Sequence, residues 1–342
     1  MTLTLSEIKQ LPKVQLHDHL DGGVRPQTIV DLAHQQQITL PSTNADELAR
    51  WFYQESTAKD LQRCLAAFAI SCSVMQTESA LERIAYEMIE DMFNDNVRYI
   101  ETRFCPYLHR AQGLSDQQII DSVIRGLERG REEFKVEFGV LICGIRNFAD
   151  EINLQMAELA CLNIGKGVVG FDFAGADLGF PLANQTKTLQ LLKRHNIPLT
   201  THAGEAANLT AIIEALDCGA TRIGHACNFY SDMSNPELIS AIEQRMLEQK
   251  IHIEINLSSN LGTGVVKSLS AHPAKLFLDQ GFSIALNTDD RLMFNNSLSE
   301  EYFMFMNHYQ LDLAAFKQMN QSAMRASFAS AEIKSKILHD LA

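Results

Sequence analysis

The feature that most constrains the fold is a regular alternation of short apolar runs with helical patterns. Each run is rich in β-branched or aromatic residues and is separated from the next by a segment of helical periodicity. Eight strands that alternate with helices favour an α/β fold of the (β/α)8 barrel type over an open doubly wound sheet. The predicted strands cover residues 13–19, 97–104, 136–144, 168–175, 197–203, 222–226, 251–259 and 282–288.

The chain length agrees with one barrel that carries one large insertion. Barrels of this class span about 250 residues and accept insertions in their loops, so we expect residues 1–342 to form a single domain. About 75 residues separate the first two strands, far more than one crossover helix requires. We expect segment 27–95 to be a helical insertion and a candidate lid over the barrel mouth. Helices that only extend the rim remain an open alternative.

Composition excludes several classes of function. Hydrophobic residues make up 46% of the chain and charged residues 21%, as in a globular protein with a sizeable core. Lysine and arginine number 29 against 42 acidic residues, and no local basic patch offsets the net charge of −13. Nucleic acid and anionic membranes are therefore not expected partners, whereas a neutral small molecule suits this charge.

The sequence also predicts a cytoplasmic location. The N-terminus lacks the charged and apolar segments of a signal peptide, and no run approaches the roughly 18 apolar residues of a membrane span. The seven cysteines are scattered and never spaced as CxxC. We therefore expect reduced thiols that mostly pack in the core.

Two histidines lie close together on the first predicted strand, in the stretch KVQLHDHLDGG. Because alternate side chains of a strand share a face, His17 and His19 point the same way and Asp21 can follow them. At the C-terminal end of a barrel strand, two such imidazoles can bind a metal ion from two sides. Taken alone, the pattern fits packed histidines as well as metal ligands.

Other strand ends carry the same types of side chain. The fifth, sixth and eighth strands end in THAGE, RIGHA and NTDD, which contribute His202, Glu205, His225, Asp289 and Asp290. The carboxyl ends of barrel strands meet at one mouth, where active sites of this fold lie. Imidazole and carboxylate ligands suit a divalent ion, zinc above all, with an open position for water. Glu205 follows a flexible Ala-Gly pair, so it can turn toward a substrate instead of the metal.

Six motifs occur in order along nearly the whole chain: LPKVQLHDHLDGG, FDFAG, THAGE, RIGHA, NLSSN and LNTDD. In this order and at these separations, they resemble the adenosine deaminase family. That family is a zinc-dependent (β/α)8 barrel whose members hydrolyse the 6-amino group of adenosine, giving inosine and ammonia. The resemblance therefore implies one Zn2+ per chain and a purine nucleoside substrate, adenosine or 2'-deoxyadenosine.

The resemblance also implies which residues form the site. Four would hold zinc, namely His17, His19, His202 and Asp289. Three would act in catalysis, namely Glu205, His225 and Asp289. Four would contact the substrate, namely His19, Asp21, Gly175 and Asp290.

The resemblance further implies how the residues around the substrate act. Glu205 would protonate N1 of the purine, and His225 would orient the hydroxide that attacks C6 and stabilise the developing charge. Asp290 would contact N7, and the backbone N–H of Gly175 would contact N3, with Asp21 near the ribose. Since Asp289 and Asp290 are adjacent, both can face one site only if the chain leaves strand geometry there.

Four positions depart from the family pattern: Ala176, Asp177, Ala226 and Arg291. The first two stand where an acidic pair is more usual, the third where glycine is commoner, and the fourth where proline is typical. None of them removes a metal ligand or the proton donor, so they bear on pocket shape and substrate preference. Arg291 either pairs with a carboxylate or reaches a substituent of the substrate.

Related deaminases are the alternatives. A deaminase of adenine, or of an N6-substituted purine nucleoside or nucleotide, would share the metal site, although HLDGG and TRFCP resemble the nucleoside branch. A nucleotide would need a phosphate site, for which Arg25 or Arg291 is the candidate. A catalytically silent purine-binding homologue is the remote alternative, but no ligand or proton donor is missing.

Two further classes of metal hydrolase lack their motifs here. A binuclear amidohydrolase usually bridges its metals with a lysine on the fourth strand, and VVGFDFAG has none. A cytidine-type zinc deaminase would carry HxE and PCxxC motifs, which are absent.

Several polar residues are expected to have only structural roles. Asn256, Ser258, Ser259 and Asn260 follow the seventh strand, where we expect them to position the loop rather than touch substrate. The remaining histidines are expected to lie on the surface or to be satisfied in the core. They are His34, His109, His195, His252, His272, His308 and His339.

Overall fold

Eight parallel strands form one sheet in the computed structural model, which describes residues 3–231 and 233–342. Neighbouring strands pair in chain order. They are β1 (Lys13–His19), β2 (Val97–Phe104), β3 (Glu137–Ile145), β4 (Val168–Ala174), β5 (Leu199–Ala203), β6 (Arg222–His225), β7 (His252–Ile255) and β8 (Ser283–Leu286). A backbone bridge between Asp18 and Asp289 brings the last strand to the first. The sheet is therefore a nearly closed barrel, which confirms the predicted (β/α)8 fold.

Helices connect and surround these strands. They are α1 (Leu5–Gln10), α2 (Pro26–Gln36), α3 (Ala45–Ser56), α4 (Leu61–Val74), α5 (Glu78–Asn94), α6 (Asp116–Phe134), α7 (Asp150–Asn163), α8 (Thr186–Arg194), α9 (Leu209–Asp217), α10 (Pro236–Glu248), α11 (Leu257–Gly262), α12 (Ala274–Asp279), α13 (Arg291–Phe294), α14 (Leu298–Tyr309), α15 (Leu313–Ala326) and α16 (Ala331–Asp340). Most lie between consecutive strands, as the (β/α)8 topology requires.

Helix α5 illustrates why these segments are helical. The side chain of Thr77 accepts a hydrogen bond from the amide of Ala80 and so caps the first turn. The apolar stripe that the sequence predicts is buried: Leu81, Ile84, Ala85, Met88 and Met92. Burying each of the larger side chains contributes about 1.5–3 kcal/mol, so the stripe anchors α5 to the barrel.

Strand β1 separates apolar contacts outside the barrel from polar groups inside it. Val14 and Leu16 belong to one apolar cluster with residues of α15 and α16. His17 lies between them and the barrel mouth and is fully buried. The period of two along a strand thus presents the histidines of β1 to the barrel interior, as predicted.

The long connection after β1 forms three helices, α2 to α4, before α5 returns to the barrel. Leu65 and Phe68 of α4 line the cavities at the barrel mouth. The insertion therefore contributes side chains to the cavities at the mouth. Its movement as a lid, and the single-domain organisation of the chain, stay predictions.

The lengths and compositions of the described helices were compared with those of a membrane span. No single helix within residues 3–231 and 233–342 is long and apolar enough to cross a membrane. Taken together, the segments Leu61–Ser73 of α4 and Glu78–Asn94 of α5 have the length and composition of a membrane span, but the two helices meet at a bend of 118°.

The end of the seventh strand differs from the prediction. We expected a strand over 251–259, but β7 ends at Ile255 and helix α11 begins at Leu257. The buried carboxylate of Glu301 accepts hydrogen bonds from the amides of Leu257 and Ser258 at 3.0 and 3.2 Å. Those amides are the free donors of a helix start, so a residue distant in sequence stabilises the helix where the local pattern favours a strand.

Candidate metal centre

Four ligand-type atoms converge at the mouth of the barrel. They belong to His17, His19, His202 and Asp289, and all lie within 4.8 Å of one another. His17 Nε2 is 2.9 Å from Asp289 Oδ1 and 3.2 Å from His202 Nε2. His19 Nε2 is 3.2 Å from His202 Nε2 and 3.6 Å from Asp289 Oδ1. The structure thus brings together the four residues that the resemblance implies as metal ligands.

Buried carboxylates fix the orientation of two of the imidazoles. Glu254 Oε2 accepts from Nδ1 of His17 at 2.7 Å, and Asp172 Oδ2 accepts from Nδ1 of His202 at 3.1 Å. Although burial opposes ionisation, the neighbouring cations hold the pKa of both Glu254 and Asp172 below the ordinary range. Ionised carboxylates can only accept, so each Nδ1 carries a proton, and in the neutral rings that bind a metal each Nε2 presents its lone pair.

Two imidazole lone pairs that face each other at 3.2 Å repel unless a cation lies between them. A tetrahedral zinc ion has ligands at about 2.0–2.1 Å, which places neighbouring ligand atoms about 3.3–3.4 Å apart. The observed separations of 2.9–3.6 Å bracket that value. Three nitrogens and one carboxylate are also the donor set that zinc accepts. The residues present therefore fit the implied metal.

A buried arginine holds the two supporting carboxylates in place. Arg103 donates to Asp172 at 3.0 Å and to Glu254 at 2.9 Å. A third donor hydrogen bond joins Arg103 to the carbonyl of Leu16 on the ligand strand β1. The sequence analysis did not identify Arg103, Asp172 or Glu254. Their signal was a charged side chain within each of the apolar strands β2, β4 and β7, since such residues are rarely buried without a partner.

The adjacent acidic residues after β8 both reach the site. Asp289 has a left-handed φ of +61°, so the chain leaves strand geometry there, as the prediction requires. Asp289 and Asp290 line the same small cavity as Glu205 and His225. Gly22 is needed beside them, because a Cβ at that position would lie 1.9 Å from Asp290 Oδ1.

Glu205 points into this small cavity from the loop after β5. Burial, together with the negative charges of Asp289 and Asp177, holds the pKa of Glu205 well above its ordinary value. Asp177 also accepts from the backbone amides of residues 205–207 at 2.9–3.1 Å. This residue, which departs from the family pattern, therefore orders the loop that carries Glu205.

The second acid in the small cavity is Asp290. Burial and the nearby carboxylates of Asp289 and Asp21 raise the pKa of Asp290 well above its ordinary value. Its Oδ1 atom is buried and has no hydrogen-bond partner among the described residues. Asp290 can therefore act as a neutral hydrogen-bond donor to a ligand.

A larger cavity of about 420 Å³ adjoins the metal cluster. His19, Asp21 and Gly175 line it together with apolar side chains, and the residues described around it include neither lysine nor arginine. Burial raises the pKa of Asp21 to about 6. Its Oδ2 atom accepts from the thiol of Cys72 at 3.6 Å, whereas Oδ1 is buried and has no hydrogen-bond partner within residues 3–231 and 233–342.

His225 lies beside the metal cluster. Its Nε2 atom is 4.0 Å from Glu205 Oε2 and 3.9 Å from Asp289 Oδ2. Amide nitrogens of Asn256 and Asn260 approach Nδ1 at 3.3 and 2.8 Å. The two asparagines, which we expected only to position a loop, thus contact a predicted catalytic residue.

Neither candidate phosphate ligand faces the cavities. Arg291 donates to Asp18 at 2.9 Å and to Asp91 at 2.8 Å, and its side chain is only 10% exposed. Arg25 pairs with Asp91 at 2.6 Å and Glu90 at 2.7 Å. Arg291 therefore pairs with carboxylates, the first of the two roles that the sequence left open.

A second group of ligand-type side chains lies nearby. Asp21, Cys72 and His109 are buried, and their ligand atoms also lie within 4.8 Å of one another. Burial lowers the pKa of His109 to about 4 and raises that of the Cys72 thiol well above its usual range. Without the thiolate this group is a poor metal site, so the cluster of three histidines and Asp289 is the better candidate.

Comparisons with known proteins identify the family of this chain. The family model described as adenosine deaminase matches residues 12–342. An adenosine deaminase of Mycobacterium marinum is 37% identical over 349 residues, which cover 99% of this chain and 96% of that protein. An Arabidopsis N6-mAMP deaminase has a TM-score of 0.85 at 26% identity, with 98% of each chain covered. An adenine deaminase from Arthrobacter aurescens has a TM-score of 0.87 at 23% identity, covering 97% of this chain and 98% of its own, and shows the shared fold.

Proposed function

The chain belongs to the adenosine deaminase family, and we propose that it hydrolyses adenosine and 2'-deoxyadenosine to the corresponding inosine nucleoside and ammonia. The observation that carries this proposal is a buried Glu205, whose pKa is held well above its ordinary value, beside a cluster of three imidazoles and a carboxylate. Deamination at C6 needs both an acid for the ring nitrogen and a metal-activated water molecule. Glu205 would be that acid, and the cluster would hold the metal.

We propose one Zn2+ per chain, held by His17, His19, His202 and Asp289. When bound, zinc supplies a water molecule whose pKa is lowered to about 7, which makes a nucleophile available at neutral pH. Glu254 and Asp172 support this role because they keep the metal-facing nitrogens of His17 and His202 free of protons.

The proposed acids of the site are the two carboxyl groups whose pKa is held well above the ordinary value. Glu205 would donate its proton to N1 of the purine, which makes C6 more electrophilic. Asp290 would donate a hydrogen bond to N7, which has a lone pair and only accepts. The elevated pKa of both groups supports these assignments, since an ionised carboxylate could donate to neither nitrogen. The oxygen of the attacking water would become the oxygen on C6, and its two protons would go to the amino group, which leaves as ammonia, and back to Glu205.

The larger cavity favours a nucleoside over a free base. Its volume is about 420 Å³, and His19 and Gly175 line it. This volume leaves room for a sugar beyond the purine. The Oδ1 atom of Asp21, which has no partner in the described part of the chain, is available to accept a hydrogen bond from a ribose hydroxyl. We therefore propose that Asp21 and His19 contact the ribose and that the backbone N–H of Gly175 contacts N3.

The same cavity argues against a nucleotide. A phosphate usually binds arginine, lysine or a cluster of backbone amides. The described lining includes neither cation, and Arg25 and Arg291 are occupied by carboxylates. The second candidate function is deamination of adenine or of an N6-substituted nucleotide. It is considered because the two structural relatives are named adenine deaminase and N6-mAMP deaminase.

The expected partner is a small purine, and the chemistry gives a direct test. The zinc-loaded protein should convert adenosine to inosine and release one ammonia for each inosine formed. Removal of the metal with a chelator should abolish the reaction, and added zinc should restore it. A zinc-loaded protein that leaves adenosine unchanged would overturn the proposal and revive the silent purine-binding homologue. The cytoplasmic location and the absence of nucleic-acid and membrane partners stay predictions.

A further inference from the structure

A chain of three buried side chains leads from outside the site to the ring of His225. It begins at His272, whose Nδ1 accepts a hydrogen bond from the amide of Ala274 at 3.0 Å. A backbone N–H can only donate, so Nδ1 carries no proton. Burial lowers the pKa of His272 to about 4, so the ring is neutral near pH 7. The single ring proton therefore lies on Nε2.

That proton fixes the orientation of Asn260. His272 Nε2 is 3.1 Å from Asn260 Oδ1, which accepts the hydrogen bond. The sulfur of Cys227, at 3.8 Å, is a weaker second acceptor. The amide of Asn260 is thereby assigned by its network and cannot flip without placing two donors face to face. Its Nδ2 atom must point the other way.

The orientation of Asn260 in turn selects the tautomer of His225. Asn260 Nδ2 lies 2.8 Å from His225 Nδ1 and can only donate to it. His225 Nδ1 therefore accepts, and the proton of the neutral ring lies on Nε2. That atom faces Glu205 and Asp289, at 4.0 and 3.9 Å, where the attacking oxygen would lie.

We propose that Asn260 and His272 are positioning residues that hold His225 in the tautomer with its proton on Nε2. His225 then enters the reaction as a hydrogen-bond donor to the attacking oxygen and not as a base. This inference rests on the proposed function for its chemistry. It assigns a role to His272, which the sequence pattern placed among the histidines without one.

Asn256 does not select the tautomer. Its Nδ2 atom lies 3.3 Å from Nδ1 and 3.5 Å from Nε2 of His225, so it contacts the ring without distinguishing the two nitrogens. Of the two asparagines, Asn260 is the one that makes a short contact to a single nitrogen. The chain His272–Asn260–His225 is therefore the one that carries the orientation.

Two substitutions at one position separate this role from folding. In His272→Gln, the longer amide can still donate to Asn260, while in His272→Asn the shorter side chain can accept from the amide of Ala274 but cannot reach Asn260. We expect His272→Asn to lower kcat by about 10- to 100-fold, as when other orienting partners are lost, with KM nearly unchanged. His272→Gln should retain most of kcat, and both variants should bind zinc as the wild type does.

A third variant reverses the hydrogen bond. In Asn260→Asp, the carboxylate can only accept, so the proton of His225 should move to Nδ1. A catalytic histidine in the wrong tautomer lowers kcat by up to about 10⁴-fold in a serine protease. We expect a loss of about 10²- to 10⁴-fold here, again with zinc content unchanged.

Nitrogen NMR of the zinc-loaded protein with 15N-histidine reads the tautomer directly. Protonated and bare ring nitrogens differ widely in chemical shift, and the His225 signals are assigned by their loss in His225→Gln. We expect a bare Nδ1 and a protonated Nε2 in the wild type, and a protonated Nδ1 in Asn260→Asp. A protonated Nδ1 in the wild type, or full kcat in His272→Asn, would overturn the inference. Because the spectrum needs no substrate, its result is separate from any failure of adenosine to react.

Discussion

Replacing Glu205 with glutamine tests the proton donor with little disturbance of the fold. Burial and two nearby carboxylates hold the pKa of Glu205 well above its ordinary value, which favours the neutral acid, and glutamine is a neutral group of similar size. The backbone of residues 205–207 is held independently, by Asp177 and by the amide of Asn228. The loop should therefore keep its place, and we expect thermal stability and zinc content to match the wild type.

The expected effect on turnover is large because an amide cannot transfer a proton to N1. General acid catalysis typically contributes about 10²- to 10⁴-fold, which corresponds to about 3 to 5 kcal/mol in the barrier. The loss should appear in kcat and kcat/KM alike, since the proton is transferred only as the transition state forms. Initial rates follow from the absorbance change between adenosine and inosine.

A matched control is Glu214→Gln on α9, outside both cavities. Glu214 accepts from the amide of Leu182 at 3.0 Å, and a glutamine oxygen can accept the same bond. This variant should turn over adenosine at the wild-type rate. If Glu205→Gln also kept kcat within about threefold of the wild type, proton donation by Glu205 would be refuted.

Three further predictions follow from the same contacts. His17→Ala should lose zinc together with activity, and full zinc occupancy by metal analysis would remove His17 from the ligand set. Gly22→Ala should displace Asp290, whose Oδ1 would lie 1.9 Å from the new Cβ, and should lower kcat/KM by about 10-fold at unchanged zinc content; unaltered kinetics would show that Asp290 does not bind the purine. Burial raises the pKa of Glu301 to about 7 against an ordinary value of 4.5, so its contribution to folding is fully present below pH 4.5 and falls as pH rises to 7. Chemical denaturation should therefore show that the wild type loses unfolding free energy relative to Glu301→Gln as pH rises from 4.5 to 7. A difference between the two proteins that stays constant over this range would contradict the raised pKa of Glu301.

The sequence predicts the strands of the barrel well where local pattern decides their ends. The first two predicted strands, 13–19 and 97–104, match Lys13–His19 and Val97–Phe104. The seventh is too long because Leu257 continues an apolar run. What ends that strand is Glu301, which is distant in sequence and therefore invisible to a local pattern.

The residues of the candidate site also fall into a group that the sequence predicts and a group that it does not. Spacing and motif resemblance name the four residues of the metal cluster, and the structure places their ligand atoms together. Glu254 and Asp172, which orient His17 and His202, were not predicted, because the partner of a buried carboxylate can be identified only from the folded structure. His272 was set aside for the same reason, since its link to His225 runs through Asn260 and not through the sequence.

Relative turnover of four substrates tests the central claim most directly. The zinc-loaded protein is supplied in turn with adenosine, adenine, AMP and N6-methyl-AMP, and kcat/KM is measured for each from the release of ammonia or methylamine. The site described here predicts the highest kcat/KM for adenosine, because the cavity has space for ribose and its described lining includes no cation for a phosphate. A higher kcat/KM for the free base or for either nucleotide would contradict the account.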